Sequence, residues 1–273
     1  MLLLCDALVE LADQSKYAPD SVDLVLTDIP YGEVNRESGG LRNFDKGAAD
    51  VISFPLSALV AHLVRICKGS FYIFCGIEQV SELKRLFVDA GLSGIRLCIW
   101  EKTNASPING THHWLSSIEC CMFAKKSGAF FSDIEALESC VWEEPTVHEQ
   151  CHPTEKPLAL FSRLIRASSK KGEVVLDPFM GSGTAGEAAV LSGRRFQGFE
   201  IKPEFFAIAK ERITRAEEDM RIPCPHHLNL NVCSTCSPEN VITSRRKKEQ
   251  AETKAREEKA LEEKNSEQNS FTW

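Results

Sequence analysis

Short apolar runs alternate with longer amphipathic stretches along most of the chain. The apolar runs are continuous, as is typical of strands that are buried on both faces of a sheet. Alternation of strands and helices predicts a doubly wound α/β fold with a mostly parallel sheet. The seven predicted strands are LLLC (2–5), VDLVLTD (22–28), SFYIFC (70–75), IRLCIW (95–100), IECCMFAK (118–125), VVLD (174–177) and RRFQGFE (194–200).

The intervening stretches have the three- and four-residue hydrophobic spacing of amphipathic helices. They are ALVELADQ (7–14), LSALVAHLVRICK (56–68), QVSELKRLFVDAG (79–91), LALFSRLIRASSK (158–170), TAGEAAVLSG (184–193) and PEFFAIAKERITRAEEDM (203–220). Polar, irregular stretches at 33–53, 103–116 and 126–152 interrupt the alternation. Loops of this length in a compact domain are usually functional or disordered.

Composition narrows the class of protein. The chain has 273 residues and a net charge of −7, so any DNA-binding surface must gather its basic groups locally, and charge alone favours a small-molecule enzyme. Eleven cysteines without a secretory signal predict reduced thiols in a cytoplasmic protein. The opening MLLLCDALVELADQ lacks a signal-peptide pattern, and no apolar run is long enough to span a bilayer, so no membrane association is expected.

Two predicted strands end in an acidic residue that is followed by a turn. Asp28 ends VDLVLTD within the phrase TDIPYG, and Asp177 ends VVLD and begins DPFMGSGT. The carboxyl ends of parallel strands face the crevice in which open α/β sheets bind ligands. Two such ends indicate one crevice that serves two functions.

The glycine-rich turn after Asp177 has the features of a ligand-binding turn. Gly181 and Gly183 permit positive φ and close backbone approach, and Thr184 begins a helix whose free N–H groups face the turn. Glu200 ends the next strand, where an acid can accept hydrogen bonds from ribose hydroxyls. The turn is not GxGxxG and no Walker lysine follows, so phosphate binding is disfavoured. Asp177 would instead hold a cationic or hydroxyl-bearing ligand; a tight turn without a ligand is the alternative.

These motifs resemble those of the S-adenosylmethionine-dependent DNA amino-methyltransferases. DPFMGSGT resembles their cofactor motif, TDIPYG their catalytic (D/N/S)PPY tetrapeptide, and HPTEKP (152–157) the segment that precedes the cofactor strand. The order of the motifs is that of the family's beta group, and the similarity spans about residues 1–215. It implies a Rossmann-like class I methyltransferase fold in circular permutation. In that fold 174–177 is the first strand, 194–200 the second, 2–5 the third and 22–28 the fourth, beside the first.

The resemblance implies S-adenosylmethionine as cofactor and double-stranded DNA as partner. The catalytic residues would be Asp28, Ile29, Pro30 and Tyr31: Asp28 and the Ile29 carbonyl accept hydrogens of the target amine, and Tyr31 stacks on a flipped-out base. Ile29 replaces the usual first proline, so the carbonyl is kept but one rigid φ is lost. An aspartate at the first position implies adenine N6 as the target before cytosine N4.

The same resemblance assigns the cofactor contacts. Asp6 would accept from the adenine amine, or equally would cap a helix. Thr154 and Lys156 would reach the methionine carboxylate, and Glu200 would bind the ribose. The complete predicted cofactor set is Asp6, Thr154, Lys156, Asp177, Phe179, Gly181, Ser182, Gly183, Thr184 and Glu200.

The domain prediction is a catalytic domain over 1–220 with target-recognition segments near 33–53 and 101–151. A Cys/His-containing appendage over 221–240 follows, and then a charged tail over 241–273 that is disordered or a solvated helix. A zinc site is possible in the appendage, with ordinary thiols as the alternative. Its candidate ligands are Cys224, His226 or alternatively His227, Cys233 and Cys236.

Several functions are compatible with these observations. The favoured one is site-specific adenine-N6 DNA methylation in a restriction-modification setting, with a homodimer possible. The alternatives are cytosine-N4 methylation, methylation of an RNA or protein amine, and an inactive DNA-binding protein on the same fold. The complete Asp28–Tyr31 tetrapeptide and cofactor turn disfavour the inactive protein.

Overall fold

Eight strands form one mixed sheet in the computed structural model, which describes residues 1–31, 54–105, 114–132, 139–146 and 155–221. They are β1 (Leu2–Leu4), β2 (Val22–Asp28), β3 (Cys67–Cys75), β4 (Ser93–Lys102), β5 (Ile118–Lys125), β6 (Val141–Glu144), β7 (Val174–Asp177) and β8 (Arg195–Glu200). Their order across the sheet is β1-β8-β7-β2-β3-β5-β4-β6. Only β5 is antiparallel to its neighbours among these described strands.

The strands β1, β8, β7 and β2 lie side by side in the permuted order that the resemblance implied. β7 lies between β8 and β2, and β8 pairs with β1. Leu24 and Val25 of β2 are in register with Val175 and Leu176 of β7. Asp28 and Asp177 therefore end adjacent strands, where the sheet order reverses and a crevice opens. The predicted Rossmann-like α/β fold is confirmed.

Helices cover both faces of the sheet. They are α1 (Ala7–Ala12), α2 (Leu56–Ile66), α3 (Val80–Asp89), α4 (Leu158–Ser168), α5 (Thr184–Leu191) and α6 (Pro203–Arg221). α1, α2 and α3 pack side by side on one face, and α4, α5 and α6 pack side by side on the other. No helix in the described part of the chain is both long and apolar enough to cross a membrane.

The core explains why the strands read as continuous apolar runs. Leu24, Val25 and Leu26 in β2 are all fully buried, because helices lie against both faces at this point. Burying such side chains contributes about 1.5–3 kcal/mol each. β2 and β7 are buried along nearly their whole length, which gives Asp28 and Asp177 at their ends a firm base.

The sequence analysis predicted seven strands, whereas the described residues form eight. β6 lies within 126–152, which the sequence pattern predicted to be irregular, and it pairs with β4 at the edge of the sheet. Its sequence VWEE buries only Trp142, so it lacks the apolar run that marks the inner strands. In its described part, the predicted recognition segment 101–151 supplies β5 and β6 to the sheet.

The domain boundaries remain a prediction. Met1–Arg221 form one compact unit, and Ile222–Trp273 are a second unit that lies outside the described residues. The predicted appendage and tail, and with them Cys224, His226, Cys233 and Cys236, belong to that second unit. The described residues hold no cluster of three or more potential metal ligands.

Candidate active site

A cavity of about 500 Å³ opens at the carboxyl ends of β1, β2, β7 and β8. Both sequence motifs reach it. Its lining includes twelve predicted residues: Asp6, Asp28, Ile29, Pro30, Tyr31, Lys156, Asp177, Phe179, Gly181, Ser182, Thr184 and Glu200. Residues that the sequence analysis did not single out also line it: Cys5, Ala7, Leu8, Phe54, Glu155, Phe161, Pro178, Met180, Ala185, Ile201, Lys202 and Phe205.

Asp177 is a buried carboxylate at the base of the cavity. Its Oδ1 accepts hydrogen bonds from the Thr27 hydroxyl at 2.7 Å and from the Phe179 N–H at 3.0 Å. Burial raises the pKa of Asp177 to about 7, against the opposing effect of these two hydrogen bonds. A carboxyl group with a pKa near 7 is partly protonated at neutral pH, and a cationic partner stabilises its ionised form.

Glu200 organises the glycine-rich turn. Its two carboxylate oxygens accept from the Gly181 N–H at 3.0 Å and from the Lys202 N–H at 2.8 Å. The side chain is 9% exposed, and burial raises its pKa in spite of these bonds. Each carboxylate oxygen has a further acceptor position. Glu200 can therefore hold the turn and still accept from a ligand in the cavity.

Gly183 supports the turn by packing. It has φ of +84° and is the N-cap residue of α5. A Cβ at this position would come within 2.9 Å of Ala209 in α6, closer than packed atoms tolerate. Gly183 therefore faces α6, and its predicted contact with the cofactor remains a prediction.

A buried ionic network, absent from the sequence analysis, braces the same turn. Arg212 of α6 donates to Glu155 at 2.8 Å, to the Thr184 hydroxyl at 3.1 Å and to Glu187 of α5. Burial opposes the charge of Arg212, but the two glutamates outweigh it and raise its pKa. The network ties the segment before α4 to the start of α5. In sequence, Arg212 is one of several charged residues in α6, so nothing distinguishes it.

The tetrapeptide after β2 is held by β3 and by the short 3₁₀ turn that follows it. The Ile29 N–H donates to the Phe74 carbonyl at 3.1 Å, a bond that a proline at this position could not form. Gln79 is 3% exposed and donates from Nε2 to the Pro30 carbonyl at 2.8 Å. These two bonds hold the turn and compensate for the rigid φ that Ile29 lacks.

Four charged side chains form a chain of alternating sign beside the tetrapeptide. Lys156 Nζ lies 2.5 Å from Asp28 Oδ2 and 3.0 Å from Glu119 Oε2. Lys102 Nζ lies 2.8 Å from Glu119 Oε1. The Tyr31 hydroxyl donates to Asp28 Oδ1 at 2.6 Å and is 3.2 Å from Glu119 Oε2. Lys156, predicted to reach the methionine carboxylate, thus pairs with Asp28, the first residue of the predicted catalytic tetrapeptide.

The two carboxylates in this chain titrate differently. Burial would raise the pKa of Glu119, but Lys156 and Lys102 outweigh it and lower the pKa to about 2. Burial raises the pKa of Asp28, with Lys156 opposing and Glu119 adding to the rise. The difference follows from the number of cations, because Glu119 has two lysines and Asp28 has one. Lys156 keeps its proton, since both carboxylates outweigh burial and raise its pKa.

Two further predicted residues lie at the cavity wall. Asp6 caps α1 through Oδ1, which accepts from the Leu8 N–H at 2.8 Å and the Val9 N–H at 3.1 Å. The capping role is thus confirmed, and a cofactor contact remains a prediction. Phe179 stacks on Phe54, with ring centroids 5.3 Å apart and an interplanar angle of 12°.

Some sequence predictions fall outside the described residues. These are Thr154, the recognition segment 33–53 and, within the second recognition segment, residues 106–113, 133–138 and 147–151. Glu119 is the most informative residue that the sequence analysis missed. A lone acid inside the apolar run IECCMFAK was the available signal, since a charge in a buried strand needs a partner.

Comparison with known proteins places this geometry in a family. A family model for N6/N4 enzymes, described as DNA methylase, matches residues 22–211. The type II methyltransferase M2.DpnII of Streptococcus pneumoniae is 28% identical over 232 residues, which cover 75% of this chain and 87% of the relative. The DNA adenine methyltransferase YhdJ of Escherichia coli is 29% identical over 248 residues, covering 76% and 80%.

Solved structures share the fold. The M1.HpyAVI–SAM complex superposes with a TM-score of 0.64 at 25% identity, over 78% of this chain and 98% of the other. The cytosine-N4-specific PvuII DNA methyltransferase has a TM-score of 0.62 at 17% identity, over 80% and 90%, and so shows the fold alone. With its motifs, strand order and family match in agreement, the chain belongs to the N6/N4 DNA methylase family.

Proposed function

We propose that this methyltransferase transfers a methyl group from S-adenosylmethionine to the N6 amine of adenine in duplex DNA. The observation that carries the proposal is that the tetrapeptide and the glycine-rich turn line one cavity. Two relatives are named for related activities, M2.DpnII as a type II methyltransferase and YhdJ as a DNA adenine methyltransferase.

The residues of the cavity fit S-adenosylmethionine. The cofactor carries a positive sulfonium centre, a ribose and an adenine, and when bound it supplies an electrophilic methyl group. Asp177 is suited to the sulfonium end of the cofactor, because burial raises the pKa of Asp177 and a nearby positive charge would stabilise its ionised form. Glu200 is suited to the ribose, since its oxygens stand at the end of the strand next to the turn. The stacked Phe54 and Phe179 offer an apolar wall to the rest.

The tetrapeptide is suited to binding an amine that accepts the methyl group. The lone pair of an exocyclic amine is delocalised into the base, so the amine is a weak nucleophile. Acceptors placed on its hydrogens draw electron density onto nitrogen, and Asp28 and the Ile29 carbonyl are suited to this. As the nitrogen forms the new N–C bond to the methyl group, the S–C bond of the cofactor breaks. The electron pair of that S–C bond passes to sulfur. The methylated nitrogen is cationic at that point and loses a proton readily.

Positioning supplies much of the rate. Holding the amine in line with the methyl group can lower the barrier by about 7–11 kcal/mol in favourable cases. The rigid setting of Asp28 and Ile29 by β2, β3 and Gln79 provides a fixed geometry for this. Tyr31 then serves the base: stacking recovers roughly 1–3 kcal/mol, against a flipping cost of a few kcal/mol.

Recognition of the DNA site is proposed for 33–53 and 101–151. The described part of the second segment carries Lys102 and Asn104. Lys102 pairs with Glu119, and Asn104 exchanges hydrogen bonds with Thr146 at 2.6 to 3.2 Å. This is consistent with a loop that is braced near the cavity. A zinc-binding appendage and a homodimer remain proposals of the same kind.

Incubation with radiolabelled S-adenosylmethionine and duplex DNA, RNA or protein tests the proposal. Label is expected in DNA, and digestion to nucleosides followed by mass spectrometry is expected to show N6-methyladenine. Methylcytosine without N6-methyladenine would reassign the target base. Label in RNA or protein alone would overturn DNA as the substrate, and no transfer in the presence of measurable cofactor binding would favour the inactive DNA-binding protein.

A further inference from the structure

We propose that Glu119 is a positioning residue for methyl transfer: it shares the Lys156 ammonium with Asp28 and takes over the Tyr31 hydroxyl when the target amine binds Asp28. Glu119 lies on β5 and is not among the residues that line the cavity within the described chain. It therefore acts through its neighbours. The inference rests on the proposed function and adds to it a residue outside the three motifs.

Both oxygens of Asp28 are engaged before a substrate arrives. Oδ2 lies 2.5 Å from Lys156 Nζ, and Oδ1 accepts from the Tyr31 hydroxyl at 2.6 Å. An incoming amine must donate to one of them. The hydroxyl is the partner that can leave, since Lys156 is 3% exposed and held from two sides.

Glu119 provides the alternative acceptor for that hydroxyl. Its Oε2 is already 3.2 Å from the Tyr31 oxygen, so a small rotation of the O–H completes the transfer. Without Glu119, the hydroxyl hydrogen displaced from Asp28 would lack an acceptor in a buried setting, although the Lys156 ammonium still donates to the hydroxyl oxygen at 3.1 Å. Glu119 thus allows Asp28 Oδ1 to become free without leaving that hydrogen unpaired.

Glu119 also limits how strongly Lys156 neutralises Asp28. An ammonium that is shared by two carboxylates draws less electron density from each of them than one paired with a single carboxylate. Lys102 in turn holds Glu119 in place through Oε1 at 2.8 Å. Asp28 therefore keeps its ability to accept from the amine, although a lysine lies against it.

The electrostatic setting of Asp28 includes groups from every neighbouring strand. Lys156 is the cation, and Glu119 and Asp177 are the other acids. Buried thiols face it from β3 and β5, namely Cys75 and Cys121. Both thiols have pKa values raised by burial and stay neutral below pH 8. The fall in the methylation rate at low pH, called the acid limb, is therefore caused by protonation of the carboxylates.

The test is the pH dependence of single-turnover methylation in Glu119→Gln. Loss of the Glu119 charge is expected to lower the rate about 10- to 100-fold, since misplacement by about 1 Å costs up to ~100-fold. The acid limb is expected to move to lower pH, because Glu119 raises the pKa of Asp28. Cofactor affinity is expected to stay within about twofold, since Glu119 lies outside the cavity lining. Glu119→Asp, which keeps the charge, is expected to restore the acid limb.

Glu82→Gln is the matched control: Glu82 is an exposed acid in the first turn of α3, outside the cavity lining and the recognition segments, and its substitution is expected to leave the rate and the acid limb unchanged. If Glu119→Gln alone is too unstable to assay, the double variant Lys102→Met/Glu119→Gln is used instead. It removes one charge of each sign and leaves no Lys102 ammonium without its Glu119 partner. A wild-type rate in Glu119→Gln would overturn the inference. So would a lower rate with the acid limb unmoved, which a purely structural role would produce. Failure of the proposed function is distinguishable, because the wild type itself would then transfer no methyl group.

Discussion

Thr27 and Asp177 join the two motifs of the active site through one hydrogen bond. The Thr27 hydroxyl donates to Asp177 Oδ1 at 2.7 Å, although the two residues are 150 positions apart in sequence. Both side chains are buried. The bond links the strand that leads into the tetrapeptide 28–31 to the strand that leads into the glycine-rich turn, and so fixes the two motifs relative to each other.

Asp177 is expected to make cofactor binding depend on pH. Its pKa is about 7 in the folded protein against 3.8 ordinarily, so the folded state binds an extra proton between these values. The free energy of unfolding therefore falls as pH rises through that window. A cationic ligand favours the ionised form, so S-adenosylmethionine affinity is expected to rise from pH 6 to 8 with release of a proton.

Calorimetry in buffers of different ionisation enthalpy measures that proton release. In Asp177→Asn the affinity is expected to be lower at pH 8 and flat with pH. A wild-type affinity that does not change between pH 6 and 8 would contradict the assignment of Asp177 to the cationic end of the cofactor.

Asp28→Ala is expected to abolish methyl transfer and to leave cofactor affinity within about twofold, because Asp28 is proposed to contact the target amine and not the cofactor. Transfer is measured with labelled cofactor, and affinity by calorimetry. Asp89→Ala is the control, since Asp89 is an exposed acid at the end of α3 that pairs only with Arg85 in the described chain. Turnover in Asp28→Ala at the wild-type rate would refute the role of Asp28 as acceptor.

Glu200→Ala is expected to weaken S-adenosylmethionine binding by about 1.5–3 kcal/mol, the contribution of hydrogen bonds to a charged group. That corresponds to roughly 10- to 150-fold in the dissociation constant. Glu204→Ala is the matched control, because Glu204 is exposed in the first turn of α6. Equal affinities of the two variants would exclude the ribose contact.

Gly183→Ala is expected to lower the melting temperature more than Gly172→Ala. The two glycines have similar φ, +84° and +81°, so the backbone strain of about 1–2 kcal/mol is shared. Only Gly183 adds a clash, because its new Cβ would meet Ala209 at 2.9 Å, whereas Gly172 has open space. Overpacking of this kind costs a further ~1–3 kcal/mol. Equal melting temperatures would show that α6 yields at this contact.

The sequence alone determined the fold class, the permuted strand order and the residues at the strand ends. Apolar runs such as VDLVLTD and VVLD mark strands buried on both faces, and the resemblance of the motifs to those of the methyltransferase family then implied which strands are neighbours. The edge strand β6 escaped because it buries only Trp142 and so lacks that signature. The local hydrophobic pattern therefore identifies a strand only where the residues of that strand are uniformly buried.

Only the tertiary structure decided which charges pair. Lys156 was expected to face the cofactor, and the structure places it between Asp28 and Glu119. Glu119 and Arg212 joined the site without any motif, because each is brought there by an element distant in sequence. The hydrophobic period records which side of an element is buried. It does not record which buried side chains meet, because contact between a strand, a segment before a helix and a helix depends on how the sheet and the two helical layers pack.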